Sequence, residues 1–484
     1  MSPYWQNQSC DPFTSPSNPC TLGNYVDYTV NISSPHDVSH ALHFAQKHNI
    51  RVVIKNTGHD YIGKSTGKGS LGLWTHNMKH MSFLNYSSTE YTGPAMKMGA
   101  GVQAFEAYTT AAAHGLRIVG GSCATVGLSG GFLQGGGHSL LSSMHGMAAD
   151  QILEWEVVTA NGTHLIASPT ENKDLYWALS GGGGGTYGVV ISVIVKAFKD
   201  GVVGGAFLQI NKTGTTDDKF WKGVEEFFAW VPDMVDSGST ALFSLSNTSF
   251  VVIPLTAPGK SEDEVKGLLQ PFLSKITKLG VPINASITSF PTYFEHFDHY
   301  LGPLPYGLPF INIVDVSIGG RLIPRRVLEN TTSNLDFVEA LKLSVYPGGN
   351  YQTGGVALNA AHSVAGNHPS SNAVLPAWRD SLVQILAFAP WDFKASLSSN
   401  LAGDDYLNQV TVPALTAVAP DSGAYLNEAN LQQNHWKSAF YGANYDRLRR
   451  IKKTYDPQDL FFANTAVGSE AWTQDGDGRL CRSA

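Results

Sequence analysis

Between Val119 and Asp150 the chain reads VGGSCATVGLSGGFLQGGGHSLLSSMHGMAAD, with nine glycines around the single cysteine Cys123. Five of the nine stand in the doublet Gly130-Gly131 and the triplet Gly135-Gly136-Gly137. Such a tract lets backbone amides approach a ligand closely and adopt dihedrals closed to other residues. The expected occupant is large, polar and phosphate-bearing. A cysteine inside the tract is either packed and inert or placed for chemistry.

At about 100 to 200 residues per domain, 484 residues make two or three domains. Charged residues are 15% of the chain, against about 25% in an average protein, so the chain is globular and weakly charged. The net charge is -7 and no run of Lys or Arg occurs, which excludes the electrostatic footprint of a nucleic-acid binder. No stretch of 18 apolar residues is present, so no bilayer-spanning helix and no membrane partner are expected. The opening MSPYWQNQSC has neither a basic nor an apolar leader region and reads as a mature secreted protein behind a start methionine. Eight N-x-Ser/Thr sequons, at Asn7, Asn31, Asn85, Asn161, Asn211, Asn247, Asn284 and Asn330, point the same way, toward an extracellular glycoprotein. Cys10 and Cys20 suit a small N-terminal disulfide loop, the alternative being two free thiols; Cys123 and Cys481 cannot be paired from sequence.

The chain in order predicts a strand over Tyr25–Ile32, a helix capped by Ser34 and running to about His48, and a buried strand RVVIK at Arg51–Lys55. This βαβ unit feeds a glycine-punctuated loop holding His59, Asp60 and Tyr61, at a strand C-terminus where α/β domains bind ligands. A second strand, helix and strand, Ala95–Ala100, Val102–His114 and Leu116–Val119, deliver the chain into the Cys123 tract. Asn161-Gly162 marks a hairpin, and a helix around Trp177 leads to the five glycines Gly181–Gly185 and a long strand, Tyr187–Phe198. From about Asp200 to Ser422 the pattern becomes α+β, with helices at Asp217–Trp230 and Ser261–Leu279 and strands at Leu242–Pro254 and Gly354–Ala361, too far apart for simple hairpins. A final helix, Tyr441–Tyr455, precedes a strand at Leu460–Ala463.

Several chemistries are excluded. Neither glycine tract has the G-x-G-x-x-G spacing of a nicotinamide site, and there is no P-loop and no G-x-S-x-G elbow. No metal site is expected: the cluster from Glu295 to His299 lacks ligand register and reads as a polar helix face. What remains is one glycine-rich turn with a histidine and a second, 64 residues later, with a cysteine.

Four segments carry a resemblance. NTGHDY at Asn56–Tyr61, SCATVGLSGGFLQGGGHS at Ser122–Ser139, ALSGGGGGTYGVV at Ala178–Val190 and YGANYDRLRRIKKTYDPQDLF at Tyr441–Phe461 resemble, in order, the signatures of the vanillyl-alcohol oxidase superfamily. More narrowly they resemble its berberine bridge enzyme-like branch of secreted FAD-linked oxidases. The resemblance implies an α+β, two-domain fold: a PCMH-type FAD-binding domain from residues 1–203 and 426–484, and between them, at 204–425, a substrate domain of antiparallel sheet covered by helices.

It also implies FAD tethered twice, through His59 to the 8α-methyl and through Cys123 to C6, with Ala124 replacing the family's usual proline. Residues implied to hold the cofactor are Asn56, Thr57, Gly58, Asp60, Tyr61, Gly63, Thr125, Val126, Gly127, Gly130, Gly131, Gly135, Gly136, Gly188, Val190 and Asn444. Glycine amides in a concave turn bind a diphosphate without a basic side chain. The implied reaction removes a hydride from a C–H beside oxygen or nitrogen while a base takes the proton, and dioxygen reoxidises the flavin to give hydrogen peroxide. Small Val126, three after the cysteine, resembles the oxidases. The base is Tyr441, Tyr61 or His138, a tyrosine serving where a neighbour lowers its pKa; relatives often supply a Glu or Gln from the substrate domain instead, which the sequence does not place. The substrate is a small alcohol, a saccharide or a secondary metabolite, and the chain is expected to be a monomer. Two other readings stay open: a dehydrogenase or cyclase with poor oxygen reactivity, and a flavin-retaining binding protein with vestigial catalysis.

Overall fold

The structure, a computed structural model, describes residues 15–307, 316–345, 351–476 and 478–483. The expected Cys10–Cys20 bridge and the Asn7 sequon involve residues outside this set. The chain opens with three parallel strands, β1 (Tyr28–Asn31), β2 (Arg51–Lys55) and β3 (Ser70–Trp74), in the order β1-β3-β2. The helix Pro35–Lys47 connects β1 to β2, and its start is fixed by a reciprocal Ser34–Asp37 capping box that satisfies two orphan N–H groups. Its buried stripe is Val38, Ala41, Leu42 and Ala45, the helical spacing read from sequence. The unexpected β3 lies between β1 and β2, so the βαβ unit is opened by an inserted strand. Leu460–Ala463 is no strand; Phe461 makes one parallel bridge to Val52, which brings the C-terminal segment to the β2 edge.

The next sheet is antiparallel. Strands β4 (Met81–Ser87) and β5 (Thr92–Gly99) are followed by a short pairing of β6 (Leu116–Arg117) with β10 (Phe198–Lys199). With β7 (Ile152–Val158), β8 (His164–Ala167) and β9 (Val189–Lys196), the sheet order is β4-β5-β9-β7-β8. The second expected strand–helix–strand is therefore not a repeat of the first, because β5 pairs antiparallel with β4 and β9 and Leu116–Val119 shrinks to two paired residues. The Asn161-Gly162 hairpin joins β7 to β8 as read.

The third sheet has seven antiparallel strands: β11 (Val203–Asn211), β12 (Thr240–Leu245), β13 (Ser249–Pro258), β14 (Ile283–Phe290), β15 (Val316–Pro324), β16 (Gln352–Ala357) and β17 (Ser381–Pro390), in the order β14-β11-β13-β12-β16-β17-β15. The single strand expected over Leu242–Pro254 is two, joined by a tight hairpin. Its cause is the Ser-Asn-Thr-Ser turn, where the Ser246 hydroxyl accepts from the N–H groups of Thr248 and Ser249. One face of this sheet is covered by the helices Asp217–Asp236, Glu262–Leu279, Thr331–Ser344 and Val412–Val418, around Phe227, Phe228, Phe243, Phe250, Phe272 and Phe337. Each such ring contributes about 1.5 to 3 kcal/mol by its burial. The first of these helices outruns the expected end at Trp230 because Val231, Pro232, Met234 and Val235 stay in the same core. The sheet's other face is open to a cavity. The helix expected over Tyr441–Tyr455 is broken at Gly442, whose φ of 56 is left-handed, into Trp436–Tyr441, one 3-10 turn and Tyr445–Tyr455. The architecture is α+β, with antiparallel sheet covered by helices against a parallel and antiparallel unit built from both chain ends.

Candidate active site

A cavity of about 1220 Å³ lies between the glycine tracts and the open face of the seven-stranded sheet. One wall is the loop after β2: Asn56, Thr57, Gly58, His59, Asp60 and Tyr61. The second is the Cys123 tract, contributing Cys123, Val126, Gly127, Gly130, Gly131 and His138, and the third is Gly184, Gly185, Gly188 and Val190. The two tracts are laced together: the Gln134 carbonyl accepts from Gly181 N–H at 3.0 Å and Gly183 N–H at 2.8 Å. Gly127 is required by a close approach, since a Cβ there would sit 2.0 Å from the Asn56 side-chain oxygen.

His59 and Cys123 meet in this cavity. The His59 Nε2 lies 2.8 Å from the Thr125 hydroxyl, and Cys123 Sγ lies 3.7 Å from the same oxygen. Burial pushes the His59 imidazole down to about 4, so it is neutral, with a ring lone pair, above that pH. The Asp60 carboxylate accepts from Lys64 N–H at 2.7 Å and from the Ser65 hydroxyl, which closes the loop on itself. Four buried polar atoms of cavity-lining residues have no hydrogen-bond partner among the described residues: Asn56 Oδ1, Lys64 Nζ and Gln134 Oε1 on the side of the glycine tracts, and Gln384 Oε1 on the side of the sheet. Burial lowers the Lys64 ammonium to about 8. A buried cation and two unpaired carbonyl oxygens beside a glycine cradle fit the anionic diphosphate and hydroxylated chain of FAD.

At the far end of the tract stands a cluster that sequence reading did not assemble. The Glu428 Oε2 lies 3.0 Å from His138 Nε2 and accepts from the Gln384 amide at 3.0 Å. His138 is 8% exposed and packs edge-on against Tyr425, whose hydroxyl accepts from Gly137 N–H and from the Asn427 amide. Burial and then the Glu428 charge raise the pKa of both Tyr61 and Tyr425, which therefore remain protonated donors.

Two expected residues lie elsewhere. Tyr441 is fully buried outside the cavity wall; its hydroxyl donates to the Thr465 carbonyl at 2.9 Å, and its ring backs Gly183. Burial, with Tyr445 and Glu470, raises its pKa, the reverse of what a base needs. The Asn444 amide is spent on the Ala373 and Val374 carbonyls at 3.2 Å. Both are held by the break at Gly442 and brace the wall from behind. Gly63, Gly135 and Gly136 also lie behind the lining, Gly135 against the Asn427 amide, while Thr125 enters through its contacts to His59 and Cys123. Glu428, Gln384, Tyr425, Asn427 and Lys64 were missed. A lone Gln in the apolar strand SLVQILAFAP was the one available signal for Gln384.

Comparison with known proteins gives the family. Residues 26–168 match the family described as FAD binding domain, and residues 424–468 the one described as berberine and berberine like. The VAO-type flavoprotein oxidase VAO615 of Thermothelomyces thermophilus is 46% identical over 493 residues, covering 100% of this chain and 83% of that protein. The bifunctional decalin synthase calF of Penicillium decumbens is 45% identical over 485 residues, with 100% and 83% covered. The crystal structure of MtVAO615 from Myceliophthora thermophila C1 superposes with a TM-score of 0.95 at 46% identity, over 100% of this chain and 87% of that one. Chitooligosaccharide oxidase, at 20% identity and a TM-score of 0.74 over 91% of this chain and 92% of its own, shares the fold.

Proposed function

The chain belongs to the VAO-type, berberine bridge enzyme-like FAD-linked oxidoreductases, and we propose that within them it is a secreted oxidase of alcohol-type C–H bonds with FAD bound covalently to both His59 and Cys123. The observation that carries this reading is the meeting of His59 and Cys123 at the Thr125 hydroxyl, 2.8 and 3.7 Å away. A neutral imidazole and a thiol on one rim are the nucleophiles that two tethers need. The cofactor would be held by the glycine amides, with Lys64 as counter-charge to its diphosphate.

When bound, FAD supplies a two-electron acceptor that dioxygen returns to the oxidised form, yielding hydrogen peroxide. Glu428 takes the hydroxyl proton as the hydride leaves the adjacent carbon. Gln384 and His138 hold that carboxylate toward the cavity through Oε2, and its other oxygen has no protein hydrogen bond among the described residues. Tyr61 and Tyr425, kept protonated, donate to the substrate oxygen. Val126 in the wall, small as in the oxidases, favours access of dioxygen.

Secretion is supported by the sequons: Asn31, Asn85, Asn161, Asn284 and Asn330 are exposed, and Asn211 and Asn247 half-buried. Glycans spread over so much surface favour a monomer. The experiment is reoxidation. Protein reduced under argon and then given air should regain its yellow colour within seconds and release one peroxide per flavin. Recovery with a quinone but not with air would make the chain a dehydrogenase.

A further inference from the structure

The cavity has two sides of unlike chemistry. Among the described residues its ionisable groups all come from the cofactor side: His59, Asp60, Tyr61, Lys64 and Cys123 from the first tracts, and His138, Tyr425 and Glu428 beyond them. The opposite side is the open face of the seven-stranded sheet, where alternate residues of each strand point inward. They include Leu242 of β12, Val251 and Ile253 of β13, Ile318 of β15, and Leu386 and Phe388 of β17. Among the described residues, the side chains of that face able to hydrogen-bond are Ser244, Gln352 and Gln384, and none of these can ionise. In the middle, Gly354 and Gly355 of β16 line the cavity with bare backbone, so a bulky body can lie flat on the sheet.

A sugar brings several hydroxyls per ring, and against this face most would be buried without partners. A carboxylate would find no cation among the described residues of that face. On the oxidase reading above, we propose that the substrate is a neutral, largely apolar alcohol. Its carbinol carbon sits at the Glu428–Gln384 end, and its ring or alkyl body lies on Leu242, Val251, Ile253 and Leu386. The match is chemical: a polar head served by one carboxylate and two protonated tyrosines, and a body that exchanges water for aliphatic and aromatic surface.

The test uses FAD-loaded protein and 4-alkylbenzyl alcohols from methyl to butyl, with cellobiose and cellotetraose as saccharide probes. Affinity is read from the flavin spectrum, by saturation of its bleaching under argon or by its perturbation. Each added methylene should tighten binding about fourfold, the factor that buries one methylene. The variants Leu386→Asn and Val251→Thr should each flatten that dependence while leaving the spectrum of the free protein unchanged. Alcohols that bind with this dependence but never bleach the flavin would uphold the apolar substrate and sink the oxidase reading. Affinity independent of chain length, or tighter binding of the saccharides, overturns the proposal.

Discussion

Replacing Glu428 by Gln separates proton transfer from everything else the site does. Of the two carboxylates that the described residues bring to the cavity wall, Asp60 is occupied by Lys64 N–H and the Ser65 hydroxyl, which makes Glu428 the base on the proposed reading. The substitution keeps the shape and one acceptor oxygen, which can stand where Oε2 meets both His138 and Gln384, each at 3.0 Å. The structural cost is the charge-assisted part of those two hydrogen bonds, about 2 to 3 kcal/mol. The chemical cost is larger: a positioned base contributes about 10²- to 10⁴-fold, or roughly 3 to 5 kcal/mol of barrier. The assay is stopped-flow bleaching of the flavin under argon at saturating alcohol, with dithionite reduction and thermal unfolding as controls. Bleaching should slow at least a hundredfold while flavin content and the dithionite reaction stay as in the parent. A slowdown below tenfold would refute the assignment, and a loss of that size in His138→Gln instead would transfer the role to the histidine.

Tyr441→Phe removes one buried hydrogen bond to the Thr465 carbonyl and should cost about 1 to 2 kcal/mol in denaturant unfolding while kcat stays within twofold; a hundredfold fall in kcat would restore it as a catalytic residue. Gly127→Ala places a methyl 2.0 Å from the Asn56 oxygen, so Asn56 must leave the wall and flavin content per chain should drop severalfold, read from the ratio of absorbance at 450 to 280 nm. The His296 imidazole, buried beside Thr256, is pushed by burial down to about 3. Its folded pKa lies below the unfolded value of about 6.5, so its contribution to stability is complete above pH 6.5 and is lost as pH falls from there toward 3, by up to about 1.4 kcal/mol per unit. Urea titrations between pH 7.5 and 4.5 should show a shallower decline for His296→Gln than for the parent, and parallel declines would contradict the assignment.

The cofactor half of the site was legible because its determinants are local. His59, Cys123 and the glycines around them lie in two continuous stretches, and the Ser34 cap and the Asn161-Gly162 turn likewise declare themselves within a few residues. The Glu428 cluster was not legible, because Gln384, Glu428 and His138 come from three distant segments and meet only when β17 packs beside the tract. Tyr441 misled for a related reason: the motif was read as a continuous helix, and the left-handed Gly442 turns that side chain toward Thr465 and away from the cavity. The inserted β3 escaped notice because SLGLW is short and carries a glycine, so only its neighbours make it a strand. Lys64 carries no signal in the sequence; its meaning lies in the burial of its ammonium, which sequence does not record.

The most direct measurement is the fate of the flavin when purified protein is precipitated in acid. Two tethers predict that the yellow colour stays in the pellet and that the denatured chain fluoresces in a gel. Colour should persist in His59→Ala and in Cys123→Ala, each keeping one bond, and move to the supernatant only when both are replaced. Colour released from the unaltered protein would contradict the covalent site at its centre.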